Sequence, residues 1–543
     1  MAFKDPLLNA VSNLARRRGF IFPTSHHYGG VEGRYEYGPL GTLLKQNIAK
    51  EWWRATVTDK ENGFAIDSSV VQHPQVWETS GHSKVFGDRW TRDLLTGEQF
   101  KLTKGEKVKH LQSDLVIKAP SKKEAQKWRN IIKQELAPNA RTFTQGTDIT
   151  MRVESVTDSH IILAGNDGPV HVVHHGYLAP GSRSPFLHEP RMQGGLSYCG
   201  DTSPEEMAED FVKIVEDNSG ASRATLKQLF TDKYKERNRP LRPELAQAAF
   251  QQLNFVCNSI DKRFPFSLAQ IGKAFRNELS CGPFIYRLKE FEQMECYHFL
   301  ETENSERHAL DLSIDRLSWW RSLARKRSNF KSVELDKDDL AHYATNAVDI
   351  EYEFPWGSEE VESIANRTDY DIRAHGEAYD NTFHHHDGTR SFVPHCVESS
   401  AGLDRAVMAY LCDAYDQRNA ASDTTRTVRP VLSLHKRIAP VKVAVFPIVH
   451  NKPELVQIAR VLAKEFRAAG LYTMYSEVNS IGKRYVDHDE MGTPYCITID
   501  SDTIEKGTVT VRSRNTMVQE PMLVTDVVGA LVAFYSRDDL SAS

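Results

Sequence analysis

The chain has 543 residues, 40% of them hydrophobic and 26% charged, which excludes a collagen-like or wholly disordered polymer and leaves room for about three to four domains. Lys and Arg number 68 against 73 Asp and Glu, a formal charge of −5, so any nucleic acid would be met through local basic patches and not a global field. No run reaches the ~18 apolar residues of a membrane helix, and Met1-Ala-Phe-Lys-Asp-Pro carries neither an apolar signal core nor the character of a transit peptide, so a cytoplasmic protein with no membrane partner is expected.

In chain order, a short amphipathic helix is predicted from about Pro6 to Arg18. A second begins after Gly38 with Pro39 at its first position and runs to about Val57, with Leu40, Leu43, Leu44, Ile48 and Trp52 as its apolar stripe. From Lys101 to Arg141 eleven Lys and Arg face four Asp and Glu. Residues 121–136 read as a helix with Ile131, Ile132 and Leu136 on its apolar side, and alternating segments follow at 149–156, 160–163 and 170–173. This stretch, 101 to about 184, reads as an inserted α+β module with a basic face; solvation and RNA contact explain those charges about equally. The block 200–420 mixes helices with strongly alternating strands, the pattern of a largely antiparallel sheet. Beyond Arg429-Pro430 strands (441–449, 471–478, 495–499, 508–514) alternate with helices (452–469, 483–491, 524–535), as in a compact α/β domain with a mainly parallel sheet.

Seven dispersed cysteines (199, 257, 281, 296, 396, 412 and 496) include no Cys-x-x-Cys pair and read as free thiols. Neither His384–His386 nor the group His171, His174 and His175 has a partnering carboxylate motif, so no zinc is expected. No phosphate-binding Gly-x-x-x-x-Gly-Lys loop and no Gly-x-Gly-x-x-Gly turn occurs; a nucleotide would have to be held by discrete arginines. Ile271–Glu278 offers one: in a strand, Arg276 and Glu278 share a face. After a turn at Ser280–Pro283, a strand over Phe284–Phe299 would carry Arg287, Lys289, Phe291, Gln293 and Glu295 on one face and Leu288, Glu290, Met294 and Cys296 on the other. Glu360 and Glu362 share a face by the same alternation. Arg405 stands near the start of a helix whose apolar side is Leu403, Val407, Tyr410 and Leu411, where a phosphate would also meet unpaired backbone N–H groups.

These segments resemble the three motifs of class II aminoacyl-tRNA synthetases: Tyr37–Gly41 motif 1, Phe275–Glu278 with Arg287–Phe291 motif 2, and Ala401–Arg405 motif 3. Longer strings resemble the homodimeric, eukaryotic/archaeal-like glycyl-tRNA synthetases: Tyr35-Glu-Tyr-Gly-Pro-Leu-Gly41, Ser80-Gly-His82, Arg242-Pro-Glu-Leu-Ala-Gln247, Glu290-Phe-Glu-Gln-Met-Glu295, Asn366-Arg-Thr-Asp-Tyr-Asp371, Ser480–Tyr485 and Asp489–Tyr495. The likeness leaves out only about 101–235. It implies a multidomain α/β and α+β protein: the N-terminal part of an antiparallel-sheet catalytic core (1–100), an insertion module (101–235), the rest of the core (236–430) and an α/β anticodon-binding domain (431–543).

The resemblance also implies an ATP-dependent glycine–tRNA ligase that forms glycyl-adenylate and passes glycine to the 3′ end of tRNA(Gly). Arg276 and Arg405 would be catalytic, on the α- and γ-phosphates. Glu278 would meet the adenine amino group and Phe291 its ring, and Glu360 would help hold Mg²⁺. Asn277, Tyr286, Arg287, Leu288, Lys289, Glu290, Val361, Gly402, Leu403 and Asp404 complete the implied ATP site. Glycine would be held by Glu244, Glu295 and Glu362 with Ser400, and by Phe291, Glu292, Gln293, Met294 and Glu398; acids around a ligand with no side chain leave no room for a Cβ. Lys483, Arg484, Arg512 and Arg514 would be RNA contacts in the C-terminal domain, and the motif 1 helix would pack across a homodimer dyad. The chain departs from the family at Leu245 (usually Thr), at Ser399 (usually Pro), at Lys289 (usually Arg), in the turn Ser280–Pro283, which lacks an arginine, and near Phe100-Lys101. The alternatives are an adenylate-forming paralogue serving a non-tRNA acceptor, slightly favoured by the changed turn and opposed by the full-length anticodon-binding-like domain, and a non-catalytic nucleic-acid-binding protein on this scaffold, opposed by the intact phosphate arginines.

Overall fold

Helix α1 (Pro6–Arg17) starts at an Asp5 cap with Pro6 in its first turn. Helix α2 (Pro39–Trp53) follows Gly38, and its Leu40, Leu44, Ile48 and Trp52 are all buried, so the predicted stripe is used inside the chain. A Cβ on Gly41 would stand 1.8 Å from the Phe20 carbonyl oxygen; glycine is what lets α2 lie this close to the strand before it.

The computed structural model describes residues 3, 5–82, 89–92, 99–101, 115–133, 137, 140–145, 147–156, 160–173, 191–192, 196–198, 203–260, 264–386, 389–419 and 428–537. Contacts divide the chain into a large unit (Met1–Ser80, Tyr198–Arg276 and Cys281–Ser543) and a smaller one (Gly81–Ser197 with Asn277–Ser280).

The smaller unit holds three three-stranded sheets. Its helix Lys122–Ile131, capped by Ser121, buries Ala125 and Trp128, which join Ile132 against Ile149, Met151, Ile161 and Leu163. The apolar side is therefore Ala125, Trp128 and Ile132, a true i, i+3, i+7 stripe, and Ile131 is only partly buried; Leu136 lies outside the described residues. The segment expected as one strand over 149–156 is two, Asp148–Met151 and Val153–Val156, in different sheets. Lys122, Lys123 and Lys127 are exposed. His174 and His175 lie outside the described residues.

The large unit is built on seven strands: β1 (Gly63–Ala65), β2 (Phe266–Phe275), β3 (Glu290–Leu300), β4 (Phe330–Glu334), β5 (Asn346–Phe354), β6 (Gly357–Thr368) and β7 (His395–Gly402), in spatial order β4-β5-β6-β7-β3-β2-β1. Every pair is antiparallel except β1–β2, as the alternation predicted. Helices α2, α4 (Ser305–Ser322) and α6 (Leu403–Ala414) cover one face, with Trp52, Trp320, Val407 and Tyr410 packed on Met294, Ile364, Val397 and Ala401. Helix α3 (Ala246–Ser259) covers part of the other, setting Ala246, Phe250 and Leu253 on Phe266, Leu268, Tyr297 and Phe299, beside α5 (Tyr370–Ala378).

The C-terminal part holds β8 (Val443–Pro447), β9 (Thr473–Tyr475), β10 (Tyr495–Ile499), β11 (Thr508–Ser513) and β12 (Gln519–Leu523), in order β9-β8-β10-β11-β12. Only β8 with β9 and β10 is parallel; the other two pairings are antiparallel, so the sheet is mixed and not mainly parallel. Sequence reasoning missed β12, an exposed edge strand with a proline, which reads as a loop. It also missed the helix Ser501–Lys506, signalled by its Asp500 capping box and Gly507. Helices Pro453–Ala468, Ile481–Met491 and Val524–Ser536 stand as expected.

Candidate active site

On the sheet face beside α3, register sets Glu295 of β3 against Ser400 of β7 and Gln270 of β2. Ser400 Oγ donates to Glu295 Oε1 at 2.9 Å, and the Tyr297 hydroxyl donates to its other oxygen. Glu398 lies two residues before Ser400 on the same face. Glu244 enters from the turn before α3, which Arg242 pins by donating to the Lys273 carbonyl at 2.7 Å and the Ser68 carbonyl at 2.8 Å. Gly272 makes room for that clamp, since a Cβ there would stand 2.3 Å from Arg242 Nη2. Leu245, where threonine was expected, is buried, and its Cδ2 would be 2.9 Å from the same Cβ; the departure fills a packing position.

Arg367, fully buried, is the hub of this acid cluster. It donates to Glu398 Oε2 at 2.8 Å, to Asp371 at 2.8 and 3.0 Å and to Glu244 Oε1 at 3.5 Å, and lies 3.7 Å from the Tyr343 ring centroid. Gln247 bridges Glu244 and Asp371, at 2.9 Å to each. Burial alone would lower the Arg367 guanidinium, but Asp371, Glu398 and Glu244 outweigh it and hold it well above the usual arginine value. One cation among four carboxylates leaves the cluster short of positive charge. Burial, then the charges of Glu398 and Glu244, push the Glu295 carboxyl up to about 8. Burial also raises Glu398, with Arg367 opposing and Glu244 adding to it. Gln293 donates to Ser400 Oγ at 3.3 Å, while its own Oε1 is buried without a hydrogen-bond partner. A small cation that donates several hydrogen bonds is the ligand such a pocket lacks.

Glu362 is not part of this pocket. Ile350 pairs with Glu362 but Glu351 with Glu360, so Val361 is an extra residue in β6. This β-bulge breaks the alternation and turns both Val361 and Glu362 toward the helices. There Arg316 donates to Glu362 Oε1 at 2.7 Å, Trp320 Nε1 donates to Oε2 and Ser399 Oγ donates to Oε1. Ser399, the other departure, thus supplies a hydrogen bond that proline would lack. Strand alternation likewise turns Glu292 and Met294 away: Met294 is in the helix-side core, and Lys45 pairs with Glu292 at 2.9 Å. The third carboxylate of the pocket is Glu398.

The phosphate arginines stand on separate supports. Arg276 Nε donates to the Pro243 carbonyl at 3.0 Å, and its guanidinium lies 5.4 Å from the Phe291 ring centroid. Strand β2 ends at Phe275, so the shared strand face predicted for Arg276 and Glu278 does not form; Asn277 and Glu278 cluster with the smaller unit. Arg405 lies 4.5 Å from the Tyr286 ring centroid, donates to the Glu360 carbonyl at 3.1 Å and pairs with Glu360 Oε1 at 3.0 Å. The strand expected from Phe284 starts only at Glu290. Arg287 is exposed, Lys289 half-buried, and Glu290 is paired with Lys273. Leu288, Val361 and Leu403 are buried in the helix-side core, so their side chains cannot meet ATP. Asp404 is structural: it accepts from the Tyr37 hydroxyl and, at 2.7 Å, from the Glu292 N–H, joining the segment before α2 to β3 and α6. Gly402 lies against the Arg405 side chain, 3.1 Å from Cδ for an added Cβ.

Sequence reasoning missed Asp349, Arg367, Asp371 and Gln247. Asp349 Oδ1 is buried without a hydrogen-bond partner; burial and then Glu360 push its carboxyl up to about 6. The i, i+4 spacing of Arg367 and Asp371 was the one available signal, and surface pairs show it too. In the C-terminal domain three of the four predicted RNA contacts are buried and serve the fold. Arg484 donates to the Pro447 and Ile448 carbonyls, Arg512 is bidentate to Asp489 at 2.8 and 2.9 Å, and Arg514 donates to the Gly492 and Leu434 carbonyls. Lys483 is exposed, in an ion pair with Asp487.

A family model described as tRNA synthetase class II core domain (G, H, P, S and T) matches residues 229–414, and one described as anticodon binding domain matches 442–533. A prolyl-tRNA synthetase from Cryptosporidium parvum, solved with L-proline and AMP, has a TM-score of 0.51 at 10% identity, over 98% of this chain and 80% of that one; this likeness speaks for the fold alone. Sheet, motifs and models together define a class II aminoacyl-tRNA synthetase. Similar proteins include the glycine–tRNA ligases of Thermus thermophilus (34% identical, 96% of this chain and 98% of the relative), Nocardia farcinica (33%, 96% of each) and Deinococcus radiodurans (32%, 96% and 97%). The chain belongs to the glycine–tRNA ligase family.

Proposed function

We propose that this chain activates glycine with ATP and transfers it to tRNA(Gly), with Glu244, Glu295, Glu398 and Ser400 as the glycine pocket. The observation that carries the reading is the charge deficit around Glu295, whose carboxyl holds a proton up to about pH 8. A glycine ammonium displaces that proton and donates to the carboxylates, Ser400 Oγ and the unpartnered Gln293 Oε1. A Cβ would overlap this ring, which discriminates against alanine by exclusion.

Catalysis then rests on alignment and charge. A glycine carboxylate oxygen attacks the α-phosphorus, forming the mixed anhydride and breaking the bond to the β-phosphate oxygen, and pyrophosphate leaves. Arg276 stands by the α-phosphate and Arg405 by the departing end. A terminal ribose hydroxyl of the tRNA then attacks the acyl carbon, and AMP leaves. Among the described residues no three His, Cys, Asp or Glu side chains gather as a metal site. Glu360, which pairs with Arg405, and Asp349, whose Oδ1 lacks a hydrogen-bond partner, would suit Mg²⁺ that arrives with its own phosphate ligands, whose charge it would neutralise. The anticodon-binding domain supports tRNA as acceptor, and the family resemblance supports a cytoplasmic homodimer.

Amino-acid-dependent ATP–pyrophosphate exchange tests this reading. Exchange with glycine, and none with alanine, serine, threonine or proline, is expected. Exchange with none of the five would sink it; exchange with another amino acid alone would refute the pocket. Charging of a tRNA(Gly) transcript tests the acceptor.

A further inference from the structure

A cavity of about 210 Å³ is lined by Arg325, Arg418, Ser433, Lys436 and Arg514, with Phe534 on its apolar side. None of these residues belongs to the glycine pocket or the phosphate arginines. Among the described residues no carboxylate lines it.

Its arginines are fixed mainly by neutral acceptors. Arg418 donates to the Asn515 carbonyl at 2.8 Å, the Arg514 carbonyl at 3.1 Å and Ser433 Oγ at 2.8 Å. Arg514 donates to the Gly492 carbonyl at 2.6 Å, the Leu434 carbonyl at 2.8 Å and Asn515 Oδ1 at 2.9 Å. Such bonds orient a guanidinium without cancelling its charge. Asp416 accepts from Arg325 at 2.8 Å and from Arg418 at 3.1 Å, while the nearby Asp489 uses both oxygens on Arg512. Arg325 and Arg418 thus share one carboxylate, and Arg514 is held by neutral acceptors. Burial first, and Arg418 among the neighbouring charges, lower the Arg514 guanidinium to about 10. Arg325 Nη1 is buried with no hydrogen-bond partner. Cations that outnumber their carboxylate partners are stabilised when an anion joins them.

We propose that this cavity binds an anion of the phosphate class, held between the guanidinium groups of Arg325, Arg418 and Arg514 that line it. A tetrahedral oxyanion offers several acceptors to converging arginines and supplies the missing negative charge. The same chemistry is carried by free inorganic phosphate and by an RNA backbone phosphate.

The test uses the full chain carrying Arg276→Gln and Arg405→Gln, which together remove the ATP-phosphate arginines, or Arg405→Gln alone where the pair fails to fold, titrated with inorganic phosphate at constant ionic strength. A saturable rise in unfolding temperature, on the order of 1–3 °C at about tenfold the midpoint concentration, is expected. Adding Arg325→Gln should abolish it. Ser433→Asp, which puts a carboxylate in the cavity, should abolish it too while raising stability in phosphate-free buffer; it serves if Arg325→Gln fails to fold. No saturable rise in that starting chain, or an undiminished rise in both cavity variants, overturns the site. Filter binding of a tRNA transcript assigns the source within the proposal. Phosphate that weakens binding several-fold only when Arg325 is present marks an RNA phosphate; binding unmoved by phosphate marks a free anion.

Discussion

The two faces of the central sheet each bury a carboxylate group, and they solve the problem in opposite ways. On the helix side Glu362 is matched by Arg316, Trp320 and Ser399: one acid, one cation, and both oxygens met. On the α3 side Glu244, Glu398 and Asp371 share Arg367, and Glu295 is buried beside them with hydroxyl partners only. A site balanced in charge is stabilised by its own cation, whereas an unbalanced one waits for another. Charge balance, more than residue type, separates the structural acid from the ligand-binding ones.

That contrast can be broken by substitution. The largest effect is expected for Arg367→Met, which leaves several buried acids without their cation. It should lower stability by about 3–5 kcal/mol in urea titrations and abolish glycine-dependent exchange. Glu362→Gln should lower stability by about 3 kcal/mol by leaving Arg316 uncompensated, with the KM for glycine within about twofold of wild type, because Glu362 is outside the pocket. Glu295→Gln should do the reverse. KM for glycine rises about 10- to 100-fold for one lost charged hydrogen bond, and stability does not fall. If Glu362→Gln raised KM like Glu295→Gln, the two-sided assignment would be wrong.

The same acid makes a pH prediction. Glu295 titrates at about 8 in the fold against 4.5 for an ordinary carboxyl. A raised carboxyl pKa means that the fold prefers the protonated form, so the group's contribution to stability is lost as pH rises from 4.5 through about 8. Glycine binding has the opposite sign: below pH 8 the ammonium must displace the proton, so KM for glycine should rise toward tenfold per pH unit as pH falls. Steady-state exchange from pH 9 to pH 6 checks this, and the trend should flatten in Glu295→Gln. The smallest effect is expected for Lys483→Ala, an exposed helical pair, at within about 0.5 kcal/mol by thermal unfolding. Arg512→Ala, at a buried bidentate pair, should be several times worse.

Much of this was legible in order of local continuity. The helix stripe of α2 and the antiparallel core strands follow from local patterning; Arg276, Glu295 and Arg405 stand out on a strand face or near a helix start, while Glu244 and Ser400 were singled out only by the family resemblance. Glu362 was misplaced because a bulge is a property of two strands, and a single strand read alone alternates strictly. Arg484, Arg512 and Arg514 were read as RNA contacts because a buried arginine and an exposed one have the same letter; only the carbonyls and Asp489 around them decide. Arg367 went unnoticed because its partners come from four separate segments. Residues 276–278 read as a continuation of the strand before them, whereas β2 ends at Phe275.

The extra residue Val361 also bears on how this strand can change over evolutionary time. Substitutions along β6 act at one position each, from partly exposed side chains to the Arg367 hub, but the strand's length is held from both directions. Deleting one residue at the bulge would restore simple alternation and carry one flank of the strand through half a pleat. Either Glu362 and Arg367 would exchange faces, putting a fourth glutamate where the ligand sits and the hub guanidinium among aromatic rings, or Glu360 would leave Arg405. Point mutants across β6 should therefore be graded in severity, while single-residue deletions there should be uniformly null.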